Sequence, residues 1–374
     1  MESAALSQII ERVRESAQQG RALRISGGGT KDFVGGPTVA LSRAERLDMR
    51  GHVGIVDYEP SELVVTVRAG TPLAELEAEL ASRGQCLPFE PPRFAAGGTV
   101  GGMVAAGLSG PSRASVGAVR DYVLGIEIIN GKGEQLRFGG QVMKNVAGYD
   151  VSRLMAGSWG TLGVITEVSL KVLPTPVAET TLTFECDQAS ALAQLHAWGG
   201  QPLPLNASCW VDEGGKGRLY VRLRGARAAV EAAGVVMGGE RQESAQVAAD
   251  WEACRDHTLP WFADGVAQPE LALWRVSVPQ TAHVLALPQG VAAPLIEWQG
   301  ALRWVHAPVD AGPALLAMAQ SAGGHASLFR VGEAMHLQDV APKQDAALQA
   351  VSRRLQQAFD PAGIFQPHRM GTGG

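Results

Sequence analysis

The chain of 374 residues has 46% hydrophobic residues and a net charge of −5, with 32 Lys and Arg against 37 Asp and Glu. This length predicts two domains, and the lack of a basic run excludes a protein that tracks a nucleic-acid backbone. No apolar stretch approaches the roughly 20 residues of a membrane span. The four cysteines form no CxxC pair for zinc or an iron–sulfur cluster. We expect a cytoplasmic protein without a metal site, and membrane association through partner subunits stays open.

The N-terminus has the pattern of a helix followed by a strand. Residues 3–19 place Leu6, Ile9 and Val13 on one face, and Gly20 ends the helix. A short strand then runs directly into the glycine-rich loop Gly27 to Lys31.

A second strand over 63–68 is rich in valine and leads into a helix, with Thr71 as the expected N-cap and Pro72 as the first helical residue. The stretch 88–110 is loop-like, dense in Pro and Gly, and 123–138 reads as a hairpin.

The pattern changes in the second half of the chain. A buried strand over 162–173 ends at Pro174 and Pro176, which mark the expected domain boundary. Shorter elements follow in the order strand, helix, strand, strand, helix, which is typical of a ferredoxin-like layer. The tryptophans over 251–304 are interpreted as core or interface anchors.

Glycine is over-represented, since 46 of 374 residues are about 12% against a usual value of about 7%. Two loops, Gly27 to Lys31 and Gly97 to Gly102, can each direct backbone N–H groups at a phosphate. Gly35, Gly36 and Pro37 rule out the helix that a Rossmann fingerprint needs, and neither loop ends in a Walker lysine. The two loops predict a pyrophosphate cradle, with a tight chain crossing under the sheet as the alternative.

Seven segments in this order resemble the FAD-binding domain of the vanillyl-alcohol oxidase, or PCMH-type, family. They are Arg24–Thr30, Val65–Thr71, Gly97–Gly102, Ser115–Gly125, Met143–Leu154, Gly157–Glu167 and Phe359–Met370. Within the family, the turn Glu90 to Pro92 and the runs Gly107 to Pro111 and Gly323 to Ala326 are similar to FAD-binding subunits of bacterial glycolate oxidases.

The resemblance implies an α+β fold. A PCMH-type FAD-binding domain of two α+β subdomains is expected over 1–176, followed by a reduced, ferredoxin-like cap domain over 177–343. A C-terminal helix and tail over 344–374 are expected to return to the FAD domain.

The resemblance also implies non-covalent FAD, because the first loop holds Thr30 and Lys31 where some relatives carry a histidine, and His52 is remote in the sequence. Carried over by position, the cofactor-binding residues are Gly27, Gly28, Gly29, Thr30, Lys31, Gly97, Gly98, Thr99, Gly101, Gly102, Ser109, Arg113, Gly163, Val164 and Ile165.

The implied function is that of an FAD-binding subunit of a multi-subunit glycolate, or 2-hydroxy acid, dehydrogenase. Its implied partners are a larger flavin subunit and an iron–sulfur subunit, towards which electrons pass. Two alternatives stay open: a stand-alone flavin oxidoreductase with its own substrate site, and a flavin-free structural subunit of the same complex.

The catalytic residues are the weakest part of the resemblance. Relatives that oxidise hydroxy acids carry a histidine-rich metal and base motif in the cap, and this sequence contains nothing similar. The reaction needs a base for the hydroxyl proton and a cation for the carboxylate. His325, Arg303 and Arg330 are candidates for these roles, although a lone histidine is more often structural.

Overall fold

The computed structural model describes residues 4–34, 43–140, 150–242, 244–268, 270–331 and 346–366. In the N-terminal half the described helices are α1 (Ala4–Gln19), α2 (Leu73–Ser82), α3 (Val100–Ala106), α4 (Arg113–Val116) and α5 (Val151–Met155). The strands are β1 (Leu23–Ser26), β2 (Glu45–Asp48), β3 (Ile55–Glu59), β4 (Val64–Arg68), β5 (Gln85–Cys86), β6 (Val123–Ile129), β7 (Gln135–Gly139), β8 (Val164–Lys171) and β9 (Leu173–Pro174).

These elements form two α+β subdomains, as predicted. In the smaller one, β1 and β2 pair in parallel, and the apolar face of α1 packs on Leu23 and Phe365. In the larger one, antiparallel strands follow the order β3-β4-β8-β6-β7, and Leu76 and Leu80 of α2 lie in the same core as Val65 and Val67. The 3.6-residue apolar periods of α1 and α2 therefore correspond to buried faces, whereas β4 and β6 are buried on both faces.

Thr71 is not the N-cap of α2, so that prediction was wrong. Pro72 occupies the cap position without a side-chain hydrogen bond. The Thr71 hydroxyl instead accepts a hydrogen bond from the Gly54 N–H at 2.9 Å. The local sequence suggested an N-cap, but Thr71 is fully buried beside the turn before β3, and its hydroxyl is used in the hydrogen bond to that turn.

The cap domain is built on one wide sheet. Its described helices are α6 (Gln188–Gly199), α7 (Arg227–Met237), α8 (Ser244–Asp256), α9 (Pro260–Val266) and α10 (Gly312–Ser321). Its strands are β10 (Ala178–Glu185), β11 (Leu205–Asp212), β12 (Gly217–Gly225), β13 (Glu240–Arg241), β14 (Ala272–Ser277), β15 (Leu295–Glu297), β16 (Leu302–Ala307) and β17 (His325–Arg330).

The order of this sheet is β13-β10-β12-β11-β15-β16-β14-β17, and every pairing is antiparallel. When the strands of each half are numbered in chain order and read from the outer edge of the sheet inwards, both halves have the ferredoxin-like order 4-1-3-2. The pairing of β11 with β15 joins the two halves. The cap thus contains two ferredoxin-like units. Sequence patterns indicated only the first, because the second has short strands whose tryptophans, Trp274 and Trp304, suggested isolated anchors.

The end of the chain returns to the N-terminal domain. Helix α11 (Ala346–Phe359) packs Leu355 and Phe359 against the core of the larger subdomain. The Leu23 N–H then donates to the Ile364 carbonyl at 2.7 Å, and the Gln366 N–H donates to the Leu23 carbonyl at 2.9 Å. The tail therefore extends the edge of β1. The exact bounds of the domains stay predictions.

The cap and the N-terminal domain are joined by a buried ionic cluster. Glu90 accepts hydrogen bonds from Arg222 at 2.6 and 2.7 Å and from Arg224 at 3.1 Å. The Ser112 N–H donates to the same carboxylate at 3.1 Å. Glu90 belongs to the N-terminal domain and both arginines to β12, so these bonds cross between the domains.

Some predicted motifs, Met143 to Tyr149 and the residues after Gln366, lie outside the described residues, as do Gly35 to Pro37. Within the described part of the chain, no helix combines the length and apolar character needed to cross a membrane.

Candidate functional site

The first glycine loop begins where β1 ends. Gly29 has a φ of +72°, in the left-handed region that side-chain-bearing residues rarely adopt. The chain turns there, and the Asp32 N–H donates to the Gly29 carbonyl at 3.1 Å. Arg24 and Asp32 form an ion pair across the loop. The loop is therefore a fixed turn.

The second glycine loop is tied to the start of α2. The Leu73 N–H donates to the Gly98 carbonyl at 2.8 Å, and the Val100 N–H donates to the Thr71 carbonyl at 3.0 Å. Thr99 caps α3 by accepting from the Gly102 N–H at 3.2 Å. These bonds hold the loop in place beside the first one.

The two loops touch each other. A Cβ atom on Gly28 would overlap the Gly97 carbonyl oxygen, and one on Gly27 would overlap the Thr99 side chain. Glycine is required because the two backbones approach too closely for any side chain. The contact between the two loops also forms a wall of an open groove.

This groove, here called the loop groove, is lined by residues of both glycine loops and by residues around the start of β8. Ten of the predicted cofactor-binding residues line it: Gly27, Gly28, Gly29, Thr30, Lys31, Thr99, Gly101, Gly102, Gly163 and Ile165. Sequence reasoning thus placed residues about 70 and 135 positions apart in one groove.

The other predicted residues lie outside the described groove lining. Gly97 and Gly98 support the first loop from behind, and Val164 is fully buried on the opposite face of β8 from the groove. The Ser109 hydroxyl accepts from the Val119 N–H at 3.3 Å. Arg113 lies over the Trp298 ring of the cap, 4.7 Å from the ring centre.

Sequence reasoning named only part of the groove lining, and Trp159 and Gln366 are among the residues that it missed. The backbone N–H of Trp159 donates to the Ala105 carbonyl at 2.8 Å. The Gln366 side-chain amide donates to the Ile25 carbonyl at 2.9 Å, next to the first loop. Both have left-handed backbones, with φ of +53° and +44°. The motifs containing them were recognised, but neither residue was assigned to the cofactor.

The charges of the groove suit a phosphate. Lys31 is only 8% exposed, and burial lowers its pKa from 10.5 to about 8, partly opposed by the negative charge of Asp256. Asp32 is paired with Arg24, and both also line the groove. A lining of bare backbone with a net positive charge fits the diphosphate of FAD.

We expect FAD affinity to depend on pH through Lys31. Below pH 7 the ammonium is charged and affinity should be constant. Above about pH 8 the cofactor-free lysine loses its proton, so affinity should fall, because the bound diphosphate favours the charged form. Lys31→Met should bind FAD roughly tenfold more weakly and remove this dependence, whereas Lys31→Arg should keep tight binding at high pH. Fluorescence titration of the cofactor-free chain measures this, and a flat wild-type profile from pH 7 to 10 would refute it.

The candidate catalytic residues have different surroundings. His325 is exposed at the start of the edge strand β17, where Ser277 of β14 is its partner. Arg303 is 0% exposed and donates to the carbonyls of His283 at 2.8 Å and Ala282 at 2.7 Å. These positions favour structural roles, because neither side chain faces the glycine loops.

Arg330 is the candidate that reaches the FAD domain. Its guanidinium lies 4.1 Å from the centre of the Phe33 ring, two residues after Lys31. Within the described residues, no group of three His, Cys, Asp or Glu side chains could hold a metal ion. The described lining of the loop groove also contains no histidine, cysteine or tyrosine that could attach a flavin covalently.

Comparisons with known proteins identify the cofactor and the family of this chain. A profile described as an FAD binding domain matches residues 4–139. The glycolate oxidase subunit GlcE of Escherichia coli (strain K12) is 43% identical over 364 residues, which cover 97% of this chain and 96% of that one. The D-2-hydroxyglutarate dehydrogenase of Xanthomonas citri pv. viticola is 28% identical over 318 residues, 83% of this chain and 64% of that protein.

A solved structure of alkyldihydroxyacetonephosphate synthase superposes with a TM-score of 0.68 at 17% identity, over 97% of this chain and 75% of that one. At this identity the similarity shows the fold, including both the FAD domain and the cap. The chain binds FAD as its cofactor and is an FAD-dependent oxidoreductase subunit. It belongs to the family of FAD-binding proteins represented by the glycolate oxidase subunit GlcE.

Proposed function

We propose that this chain holds FAD in the loop groove as a subunit of a glycolate-oxidising complex, from which electrons pass to an iron–sulfur partner subunit. The observation that carries the proposal is the contact of the two glycine loops along one groove, which both loops line. Similarity along 97% of the chain to a protein named as a glycolate oxidase subunit supports the substrate and the complex.

The residues of the loop groove have separate tasks in this proposal. Gly27 to Lys31 and Thr99 to Gly102 would hold the diphosphate, with Lys31 balancing part of its charge. Backbone groups of Gly163 and Ile165 would contact the adenine side. When bound, FAD supplies a two-electron acceptor for oxidation of an alcohol carbon.

Arginines on both sides of the junction between the two domains support an anionic substrate. Arg330 lies on Phe33, and Arg113 and Arg275 lie 4.7 and 5.2 Å from the centre of the Trp298 ring. Three guanidinium groups thus lie at the junction of the two domains, although the net charge of the chain is −5. Positive charge in a partly buried cleft attracts small anions.

Partners and location are part of the same proposal. The expected partners are a larger flavin subunit and an iron–sulfur subunit, because the relative of nearly equal length is itself named as a subunit. We propose a cytoplasmic location, with any membrane contact made by the partners.

Anaerobic glycolate addition tests the function and separates its alternatives. The chain should purify yellow, and glycolate should bleach the flavin absorbance near 450 nm in the assembled complex. We expect little bleaching of the isolated chain, whose flavin relays electrons. Full bleaching of the isolated chain would favour a stand-alone oxidoreductase. A colourless chain in an active complex would favour a flavin-free structural subunit, and a complex that ignores glycolate would refute the substrate.

A further inference from the structure

The cap domain contains a second cleft, here called the cap cleft, of about 780 Å³. This volume lies in the range of small-molecule sites, roughly 300–1,000 Å³. Residues of β10, β11 and β12 line the cleft from the sheet, and residues of α8 and α9 line it from the helices. None of its described lining residues also lines the loop groove, so the cap cleft is distinct from the FAD site.

A buried hydrogen bond ties α8 to the sheet beside the cap cleft. The Trp251 indole N–H donates to the Thr181 hydroxyl of β10 at 2.9 Å. Cys209 and Val211 alternate along β11 and therefore face the same side of the sheet, and Tyr220 of β12 pairs with Cys209. The sheet and the helix are thus held in fixed positions around the cleft.

Much of the lining is apolar. Trp251 and Leu295 are buried side chains that border the cleft. The Trp261 ring stacks on His306 with 4.1 Å between ring centres, and the Arg222 guanidinium lies 4.9 Å from the centre of the Trp251 ring. These contacts hold both indole rings in position, which lowers the ordering cost of binding an apolar molecule beside them.

The charged part of the lining is acidic. In the described lining, five carboxylates stand against one guanidinium group, and they are those of Asp212, Glu213, Glu240, Asp250 and Asp264. The Asp212 and Glu213 side chains accept hydrogen bonds from the Gly215 N–H at 2.6 Å and from the Tyr220 hydroxyl at 2.9 Å. The carboxylates of Glu240, Asp250 and Asp264 form no hydrogen bond or ion pair with another described residue. Their negative charge is therefore available to a ligand.

The sign of its charge separates the cap cleft from the junction of the two domains. Arginines at the junction favour an anion, whereas the carboxylates of the cap cleft repel one and attract a cation. The apolar walls favour a ligand whose remaining atoms leave water on binding, and aromatic rings also attract cations. Together these features fit an organic cation with an apolar body.

We propose that the cap cleft is a binding site for a small organic amine, whose ammonium group lies among the carboxylates and whose apolar body packs beside Trp251 and Trp261. The site lies on the cap alone and shares no described residue with the loop groove. It therefore does not rest on the proposed substrate or on the electron route through FAD.

Tryptamine is the probe, because it joins an ammonium group to an aromatic body. Calorimetry of the FAD-bound chain at pH 7 and low salt should give a Kd of about 0.1–1 mM, which added NaCl should raise. Tryptophol carries the same indole with a neutral hydroxyl and should bind at least about tenfold more weakly. Indole-3-acetate, which is an anion, and methylammonium, which lacks the apolar body, should show no measurable binding.

The carboxylates are tested with Asp250→Asn and Asp264→Asn, which change exposed side chains and should leave folding intact. Each should raise the tryptamine Kd about threefold, and the double variant at least about tenfold. Glu252→Gln is the matched control, because it makes the same charge change on an exposed face of α8 outside the described lining. All these variants should keep the flavin content of the wild type and unfold within about 3 °C of it.

Three results would overturn the proposal: no tryptamine binding by the wild type, equal Kd values for tryptamine and tryptophol, or an unchanged Kd in the folded double variant. Titration of the assembled complex adds a fourth test. Retained binding supports the site, whereas loss of binding would overturn it, since a partner subunit would then cover the cleft. Glycolate oxidation is not a readout here, so a failure of the proposed function is seen separately.

Discussion

Gly28→Ala should abolish most flavin binding, because the added methyl group would occupy the position of the Gly97 carbonyl oxygen. The neighbour is backbone held by the bonds of the second loop to α2, so it cannot rotate away as a side chain could. Relieving such overpacking costs about 1–3 kcal/mol, which corresponds to an FAD Kd roughly 10- to 100-fold higher. The ratio of flavin to protein absorbance after purification, and titration of the cofactor-free chain, measure this change.

Gly51→Ala is the matched control for that substitution. A Cβ atom on Gly51 would meet no atom within 4 Å, and its backbone is not left-handed. The control should bind FAD like the wild type. Wild-type flavin content in a folded Gly28→Ala chain would mean that the contact of the two loops does not shape the cofactor site.

Glu90→Gln should destabilise the chain more than any surface substitution. The change removes the negative charge that Arg222 and Arg224 share, and Arg222 is almost fully buried. Removing one partner of a buried ion pair costs about 3–5 kcal/mol, because the remaining charge stays desolvated. For domains of this size that corresponds to a Tm lower by about 10 °C. Differential scanning calorimetry of the FAD-bound chain measures the difference.

Glu179→Gln is the matched control, since Glu179 contacts the same Arg224 from a partly exposed position. Such a surface pair contributes less than about 1 kcal/mol, so the control should unfold within about 3 °C of the wild type. Equal Tm values for the wild type and Glu90→Gln would contradict the claim that this cluster joins the two domains.

The Glu90 cluster should also appear in the acid dependence of stability. Burial alone would raise the pKa of Glu90, but Arg222 and Arg224 outweigh it and hold the pKa below 4.5. The stabilisation is therefore complete above pH 4.5 and is lost as pH falls through the lower pKa of the folded state. Wild-type stability should thus decrease more steeply than that of Glu90→Gln in acid.

The local features of this chain were readable from its sequence. The glycine loops, the helix over 3–19 and the strands beside them are present as predicted, because backbone freedom and apolar period are properties of short segments. The order of the glycine motifs also indicated the cofactor, which the comparisons confirm.

Tertiary structure alone decided which side chains meet. Glu90 was part of a turn motif in the sequence, and its contact with Arg222 spans 132 positions. Arg303 and Arg330 were equal candidates until the fold buried one among backbone carbonyls and placed the other on Phe33.

The second ferredoxin-like unit could not be predicted for the same reason. The strands β11 and β15 are distant in the sequence and come together only by pairing in the folded sheet. Sequence determines what each segment can do with its own backbone and its own apolar face. Burial, pKa and hydrogen-bond partners depend on atoms brought together from distant segments, and these exist only once the chain has packed.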